Sequence, residues 1–342
     1  MIKQTFLLFG LFSLSSILVS CGENSHEYEW EWDDQKKEEV NKEIVDKGWT
    51  DTDHWGELPS YIKIYKSPQK LQGKQAIAYI AVADIDKVKF EVLGDVDYNQ
   101  QANGYVGTAL HTPTEFYSSA QCPVVINAGL FYGANGYFYS QNLVVKEGKM
   151  YAPNQNYYSK DWVTLWYPTL GAFYQDYDGT FHTTWTYFTN SKQNYCYPQP
   201  AMNDIEKEPL PVPSDKFPEG AKLFKAKTAI GGVTVLLHKG EIKNTYKEEM
   251  LDILADGSHP RTAIGSTANN KLILFVCEGR NKTQGVAGFT TGEVALIMKD
   301  LGCVEALNLD GGGSSCMLVN GNETIKCSDG AQRKVLTAIG LK

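Results

Sequence analysis

The chain has 342 residues, 42% of them hydrophobic, and a formal net charge of −8. That length suits one large domain or two small ones, with ample apolar content for a packed core. The acidic balance leaves no basic face able to neutralise several phosphates, so nucleic acid is not expected as a partner.

Residues 1–20 read as a signal peptide, with Lys3 as its basic start and Phe6 to Val19 as its apolar core. The apolar run is too short for a confident transmembrane span. Leu18-Val19-Ser20-Cys21 resembles a bacterial lipobox, which marks Cys21 as the lipidation site. Gly22 follows it, in place of the Asp associated with inner-membrane retention. The expected location is therefore the cell envelope, lipid-anchored to the outer membrane on its periplasmic or surface face. Residues 21–57 form an acidic tether dotted with Trp30 and Trp32.

From Leu58 the pattern becomes strand-like: Tyr61 to Tyr65 alternates, Ala76 to Ala83 is continuously apolar, and Val88 to Leu93 alternates again. Pro113 to Ser119 predicts a helix with Glu115 in its first turn. Val124 to Asn127 predicts a buried strand, and Leu143 to Met150 a hairpin about Glu147-Gly148. Residues 151–221 are rich in Tyr and Trp and then in Pro, and read as an insertion with strands near Leu165 to Tyr174 and Phe181 to Phe188. Beyond it come a hairpin about Lys239-Gly240 and a strand pair, Arg261 to Gly265 with Lys271 to Cys277. Thr291 to Leu301 is a helix capped by Thr290 or Thr291, with Glu293 in its first turn and Gly302 ending it. A last strand runs from Lys334 to Ile339. The sum is an α+β fold: a mixed β-sheet core with few helices, its glycine-rich turns converging on one face.

Besides Cys21 there are six cysteines, Cys122, Cys196, Cys277, Cys303, Cys316 and Cys327, with no zinc-type spacing among them. Their pairing stays open. No cofactor is expected; Asp310 and Glu293 could hold a divalent cation, but no EF-hand-type spacing supports one and no metal site is assigned.

The most informative stretch is Asn308-Leu309-Asp310-Gly311-Gly312-Gly313-Ser314-Ser315, set between two apolar runs. Three consecutive glycines add no side-chain packing, so they belong where backbone comes close to something. Their N–H groups can form a nest for an oxyanion. A carboxylate at the rim of such a nest is a candidate for chemistry; the plainer alternative is an Asp-Gly hairpin turn.

Taken in order, several segments resemble the phosphodiester glycosidase family. They are Asn127-Ala128-Gly129-Leu130-Phe131, Ile230-Gly231-Gly232-Val233, Arg261-Thr262-Ala263-Ile264-Gly265, Glu278-Gly279-Arg280, the helix start at Phe289 to Glu293, and the turn at 308–315. The sequence departs from the family pattern at Ala128, Leu130 and Glu278. The resemblance implies a phosphodiester glycosidase-like domain over residues 58–342 and cleavage of a sugar-1-phosphodiester to free sugar and a phosphomonoester. It implies Asp310, Glu293 and Glu278 as catalytic carboxylates. Arg261 and Arg280 become phosphate partners through their guanidinium forks. Asn127, Gly129, Asn308, Gly311, Gly312, Gly313 and Ser314 complete the substrate-binding set. Glu293 also reads as a simple capping carboxylate. The rival reading is a non-catalytic glycan-binding surface lipoprotein in which the aromatic residues stack on sugar rings.

Overall fold

The computed structural model describes residues 42–342; the expected signal peptide, the expected lipidation site Cys21 and most of the expected tether lie outside the described residues. Ile44–Lys342 forms one compact unit. Its largest sheet has eight strands, and its centre is Ala78–Asp84, Lys271–Cys277, Arg261–Thr267 and Cys303–Asn308 side by side. Every residue of Arg261–Thr267 and of Lys271–Cys277 is buried. Strands covered on both faces are continuously apolar rather than alternating, as Leu272 to Val276 shows. All ladders that join the larger sheets are antiparallel, so the mixed character expected from sequence resolves into antiparallel pairing.

A seven-stranded sheet takes in much of the aromatic segment. Leu170–Gln175 and Phe181–Phe188 pair with each other, and Leu170–Gln175 also pairs with Thr228–Gly231. Phe173, Phe181 and Trp185 pack into the main core with Phe90 and Leu307. A buried carboxylate ties this sheet to the first. Glu249 accepts the Gly171 N–H at 2.9 Å, the Val235 N–H at 3.0 Å and the Trp185 indole N–H at 3.2 Å.

Helices are few. Pro113–Ala120 and Thr291–Asp300 each begin with a reciprocal capping box, Thr112 with Glu115 and Thr290 with Glu293. The hairpin about Glu147-Gly148 has left-handed φ at both residues, the conformation a tight two-residue turn requires. The last strand falls at Ala338–Leu341, a little beyond its sequence estimate, because Lys334 is exposed and Val335 makes only an isolated bridge to His111.

The glycine turn is not a hairpin. Cys303–Asn308 belongs to the eight-stranded sheet, whereas Met317–Val319 pairs with Val124–Asn127 in a five-stranded one. The turn crosses between sheets, and that crossing sets up the site. Cys316 and Cys327, on its far side, hold their thiols in mutual contact and are not bonded.

Candidate active site

Three neighbouring strands assemble the site at one end of the eight-stranded sheet. Arg261 opens its strand opposite Cys277, and Ala263 lies opposite Asn308 on the other side. The ladder runs one step further, where the Leu309 N–H meets the Thr262 carbonyl at 2.8 Å. An antiparallel sheet puts the end of one strand beside the start of its neighbour. Residues following Asn308 and Cys277 therefore meet those preceding Arg261. Between them opens a cavity of about 200 Å³, lined by Asp252, His259, Arg280, Asp310, Gly312 and Arg333 among others.

Asp310 is half-buried, and its backbone is clamped on both sides. Its N–H donates to the Ala128 carbonyl at 2.8 Å, and its carbonyl accepts the Asn127 side-chain amide at 2.6 Å. Asn127 in turn accepts the Thr262 hydroxyl at 2.9 Å and the Cys316 N–H at 3.1 Å. Burial pushes the Asp310 carboxyl up to about 6, against the pull of the Ser314 hydroxyl, the Arg333 charge and the Gly311 N–H. At neutral pH it is mostly an anion that is poorly solvated, the state suited to meeting a developing cation.

Two guanidinium groups face this carboxylate across the glycines. Arg280 follows the strand Lys271–Cys277 in a left-handed conformation, φ 56°. Asn281 shares it, φ 53°, so the two residues make a tight turn that swings the Arg280 side chain over Gly312. A Cβ on Gly312 would lie 2.7 Å from an Arg280 Nη. One on Gly313 would lie 2.2 Å from both an Arg333 Nη and an Asp329 carboxylate oxygen. Glycine here admits the arginines rather than a bare backbone nest, since the Gly312 N–H already donates to the Pro260 carbonyl at 2.9 Å. Asp329 sits between the two, 3.6 Å from Arg280 and hydrogen-bonded to Arg333 at 2.5 Å. Arg280 and Arg333 remain 42% and 43% exposed, so a ligand can reach both.

Gly313→Ala therefore tests the cationic side of the cavity. The displaced atoms are the far ends of flexible side chains, so the variant should fold normally. Its affinity for an anionic probe such as inorganic phosphate should fall roughly tenfold or more as the Arg333–Asp329 pair is pushed aside, equivalent to about 1.4 kcal/mol of lost binding.

A family model described as phosphodiester glycosidase matches residues 120–342. The chain belongs to the phosphodiester glycosidase family. The fold of this chain is similar to the catalytic domain of zebrafish N-acetylglucosamine-1-phosphodiester alpha-N-acetylglucosaminidase, auto-inhibited by its pro-peptide. The TM-score is 0.55 at 21% identity, over 84% of this chain and 85% of that one. A hypothetical protein from Synechocystis gives a TM-score of 0.52 at 18% identity, over 82% and 62%. An uncharacterised SPbeta prophage-derived protein of Bacillus subtilis (strain 168) is 35% identical over 81 residues, 24% of this chain. The chain spans only 12% of that relative's length.

Of the residues expected from sequence, Asp310, Arg261, Arg280, Asn308, Gly311, Gly312 and Gly313 line this cavity. The structure separates their roles. Arg261 is 2% exposed and gives four N–H groups to the carbonyls of Phe289, Ile253, Leu254 and Gly257 at 2.6–3.0 Å. A guanidinium has five such donors, so Arg261 holds the 253–257 loop and is not free to fork onto a phosphate. Asn308 is 1% exposed and donates its amide to the Val233 and Leu309 carbonyls, which leaves its buried Oδ1 without a partner. That oxygen is an acceptor waiting for a donor.

Other expected residues stand back from the cavity. Asn127 is fully buried and positions Asp310 rather than touching a ligand. Gly129 packs against Asn142, and Ser314 braces Asp310 and accepts from Arg333 at 3.4 Å. Glu278 is 3% exposed, accepts the Lys326 N–H at 3.1 Å, and has its other oxygen buried and unpartnered.

Glu293 closes the Thr290 capping box and pairs with Lys74 at 2.7 Å. Burial raises its carboxyl, but the Lys74 ammonium and the Thr290 N–H outweigh it and hold it below the usual range. Both commitments are structural. Glu293→Ala, which removes both the capping acceptor and the Lys74 partner, should cost about 0.5–2 kcal/mol of stability, as lost caps do, and leave turnover nearly intact. Thermal melts beside initial rates check this.

Three cavity residues were missed: Asp252, His259 as a lining group, and Arg333. Arg333 sits in a short loop with no motif around it, and Asp252 in another; only the fold brings them to Asp310. Burial, with the charges of Arg261 and Arg280, holds the His259 imidazole below its usual range, and its Nδ1 has no partner.

Proposed function

We propose that this phosphodiester glycosidase hydrolyses a sugar-1-phosphodiester, releasing free sugar and a phosphomonoester. The observation that carries this reading is one cavity holding a poorly solvated carboxylate, Asp310, beside two reachable guanidinium groups, Arg280 and Arg333. An anion-accepting half and an anionic half suit a substrate that breaks into phosphate and a cation-like sugar. The activity of the zebrafish neighbour supports an N-acetylglucosamine-1-phosphodiester-like substrate.

In the proposed reaction the bond between C1 and the phosphate oxygen breaks, and its electron pair leaves with the phosphomonoester. Phosphate is already a good leaving group, so charge stabilisation matters more than proton donation. Arg280 and Arg333 provide it with charge-assisted, forked hydrogen bonds. Asp310 faces the cationic sugar carbon, as stabiliser or as nucleophile. Water completes the sugar at C1 and gives its proton to a carboxylate, Asp310 or the neighbouring Asp252.

Glycan binding without catalysis would make the Asp310 turn purely structural, and a turn aspartate gains nothing from a carboxyl raised by burial. Cys21 after Leu-Val-Ser supports a lipid anchor that holds the domain at the cell envelope, where sugar phosphodiesters occur in glycans.

The deciding comparison uses one sugar on two leaving groups, a phosphodiester and a neutral alcohol, with purified protein lacking residues 1–20. Hydrolysis of the phosphodiester alone fits the proposal. Equal hydrolysis of both would make the enzyme an ordinary glycosidase, and no hydrolysis of any sugar-1-phosphodiester would remove the catalytic reading.

A further inference from the structure

A second and larger cavity, about 750 Å³, lies along the same hairpin that borders the first. Phe131–Ala134 pairs with Tyr137–Ser140. Leu130, just before that hairpin, lines the Asp310 cavity. Tyr132 and Tyr139, directly opposite one another within it, line the larger one. The two cavities are thus neighbours along one short stretch of backbone.

The walls of the larger cavity have an unusual composition. Tyr98, Tyr132, Tyr157 and Trp162 line it and are 52%, 47%, 47% and 88% exposed. Single exposed aromatics are ordinary, but four turned into one concavity are not. Tyr132 and Tyr139 stack at 5.0 Å between centroids and 9° between planes, which holds one flat platform in place. Trp162 stands at the tip of a loop that the Asp161 carboxylate pins, accepting the Val163 and Thr164 N–H groups at 2.9 and 2.7 Å. It has a left-handed backbone, φ 62°. A bulky residue in that region is a true outlier and persists where its surroundings enforce it. The pinned loop therefore fixes an indole in the open.

Between the rings lie neutral amides, with Asn103, Asn156 and Asn190 on the walls and Lys192 as the one charged side chain. Flat apolar faces alternating with uncharged donors and acceptors match a pyranose, which has C–H groups on its faces and hydroxyls round its edge. A lipid surface would want the reverse, an apolar tip ringed by cations.

We infer that this aromatic cleft binds a run of sugar units, so that the enzyme acts on a sugar-1-phosphate linkage carried by an oligosaccharide or polysaccharide. The inference rests on the proposed function for its connection to catalysis, but the binding itself needs no turnover. The occupant is a neutral carbohydrate chain, reaching along the hairpin from Leu130 to Trp162.

The test is binding of unphosphorylated oligosaccharides of two to six units, in gluco-, manno- and N-acetylglucosamine series, followed by tryptophan fluorescence and calorimetry. For at least one series, affinity should rise tenfold or more with length. It should fall at least tenfold in the Trp162→Ala, Tyr132→Ala double variant, while Asp310→Asn binds as wild type. Hydrolysis of a monosaccharide-1-phosphodiester should persist in the double variant, which also shows that it is folded. No binding in any series, or binding that the double variant leaves intact, overturns the inference and leaves the proposed function standing. Trp162-dependent attachment to vesicles of phosphatidylethanolamine and phosphatidylglycerol, with no response to sugars, would overturn it in favour of a membrane contact. Oligosaccharide binding without turnover of any phosphodiester supports the cleft and counts against the hydrolase.

Discussion

Asp310→Asn is expected to lower kcat on a sugar-1-phosphodiester by about 10³-fold, the middle of the range one positioned carboxylate contributes, and to fold normally. At about 1.36 kcal/mol per decade, that is roughly 4 kcal/mol of transition-state stabilisation. The amide has the same shape and can keep the Ser314 contact, but it cannot face a developing cation as an anion. The variant should also be at least as stable as wild type at neutral pH. A carboxyl raised from 3.8 to about 6 binds a proton more tightly folded than unfolded. Its contribution to stability is therefore full below the unfolded value and is lost as pH rises through the folded one. Removing the charge removes that cost. In wild type, where Asp310 acts ionised, kcat/KM should fall tenfold per unit below about pH 6 and level off above it. A combined melt and pH–rate profile on both proteins checks all of this, and a wild-type-like rate in the Asn variant would remove Asp310 from the chemistry.

Arg280→Ala and Arg333→Ala form the second large expectation. Each should reduce kcat on a phosphodiester by about 10²–10³, the usual cost of deleting one donor to a developing anion. Both side chains are more than two-fifths exposed, so stability should stay within roughly 0.5 kcal/mol of wild type. The two losses should not add, since both arginines lean on Asp329 and share one departing group. Leaving-group dependence separates this from a general defect. The arginine variants should become more sensitive than wild type to the pKa of the phosphomonoester released. Arg261→Ala should behave quite differently: it frees four carbonyls that the guanidinium holds, and the protein should be damaged in folding before it is damaged in chemistry.

Sequence showed those parts of the site that depend on local backbone. Asp310 with its glycines, Arg280 after a buried strand, and the capped helix at 291–300 each carry a periodic or turn signature that needs no distant partner. What it could not show were the directions in which side chains leave the backbone. Arg261 and Arg280 looked alike, both at strand ends; one turns inward onto the 253–257 loop and the other outward over Gly312. Glu293 looked like half of a carboxylate pair because spacing cannot distinguish a cap from a catalyst. Asp252 and Arg333 reach the cavity on loops separated from Asp310 in sequence, so only the packed sheets reveal them. The aromatic segment was visible as composition, but not its division: Phe173 and Trp185 are core, while Tyr157 and Trp162 are open to solvent.

Hydrolysis of N-acetylglucosamine-1-phosphodiester in ¹⁸O-labelled water distinguishes the two bonds that this cavity could break. Cleavage between C1 and oxygen puts the label on the sugar hydroxyl and leaves the phosphomonoester unlabelled; that is the predicted result, abolished in Asp310→Asn. Label in the phosphomonoester would mean attack at phosphorus, with the arginines activating rather than receiving it, and would contradict glycosidic cleavage at Asp310.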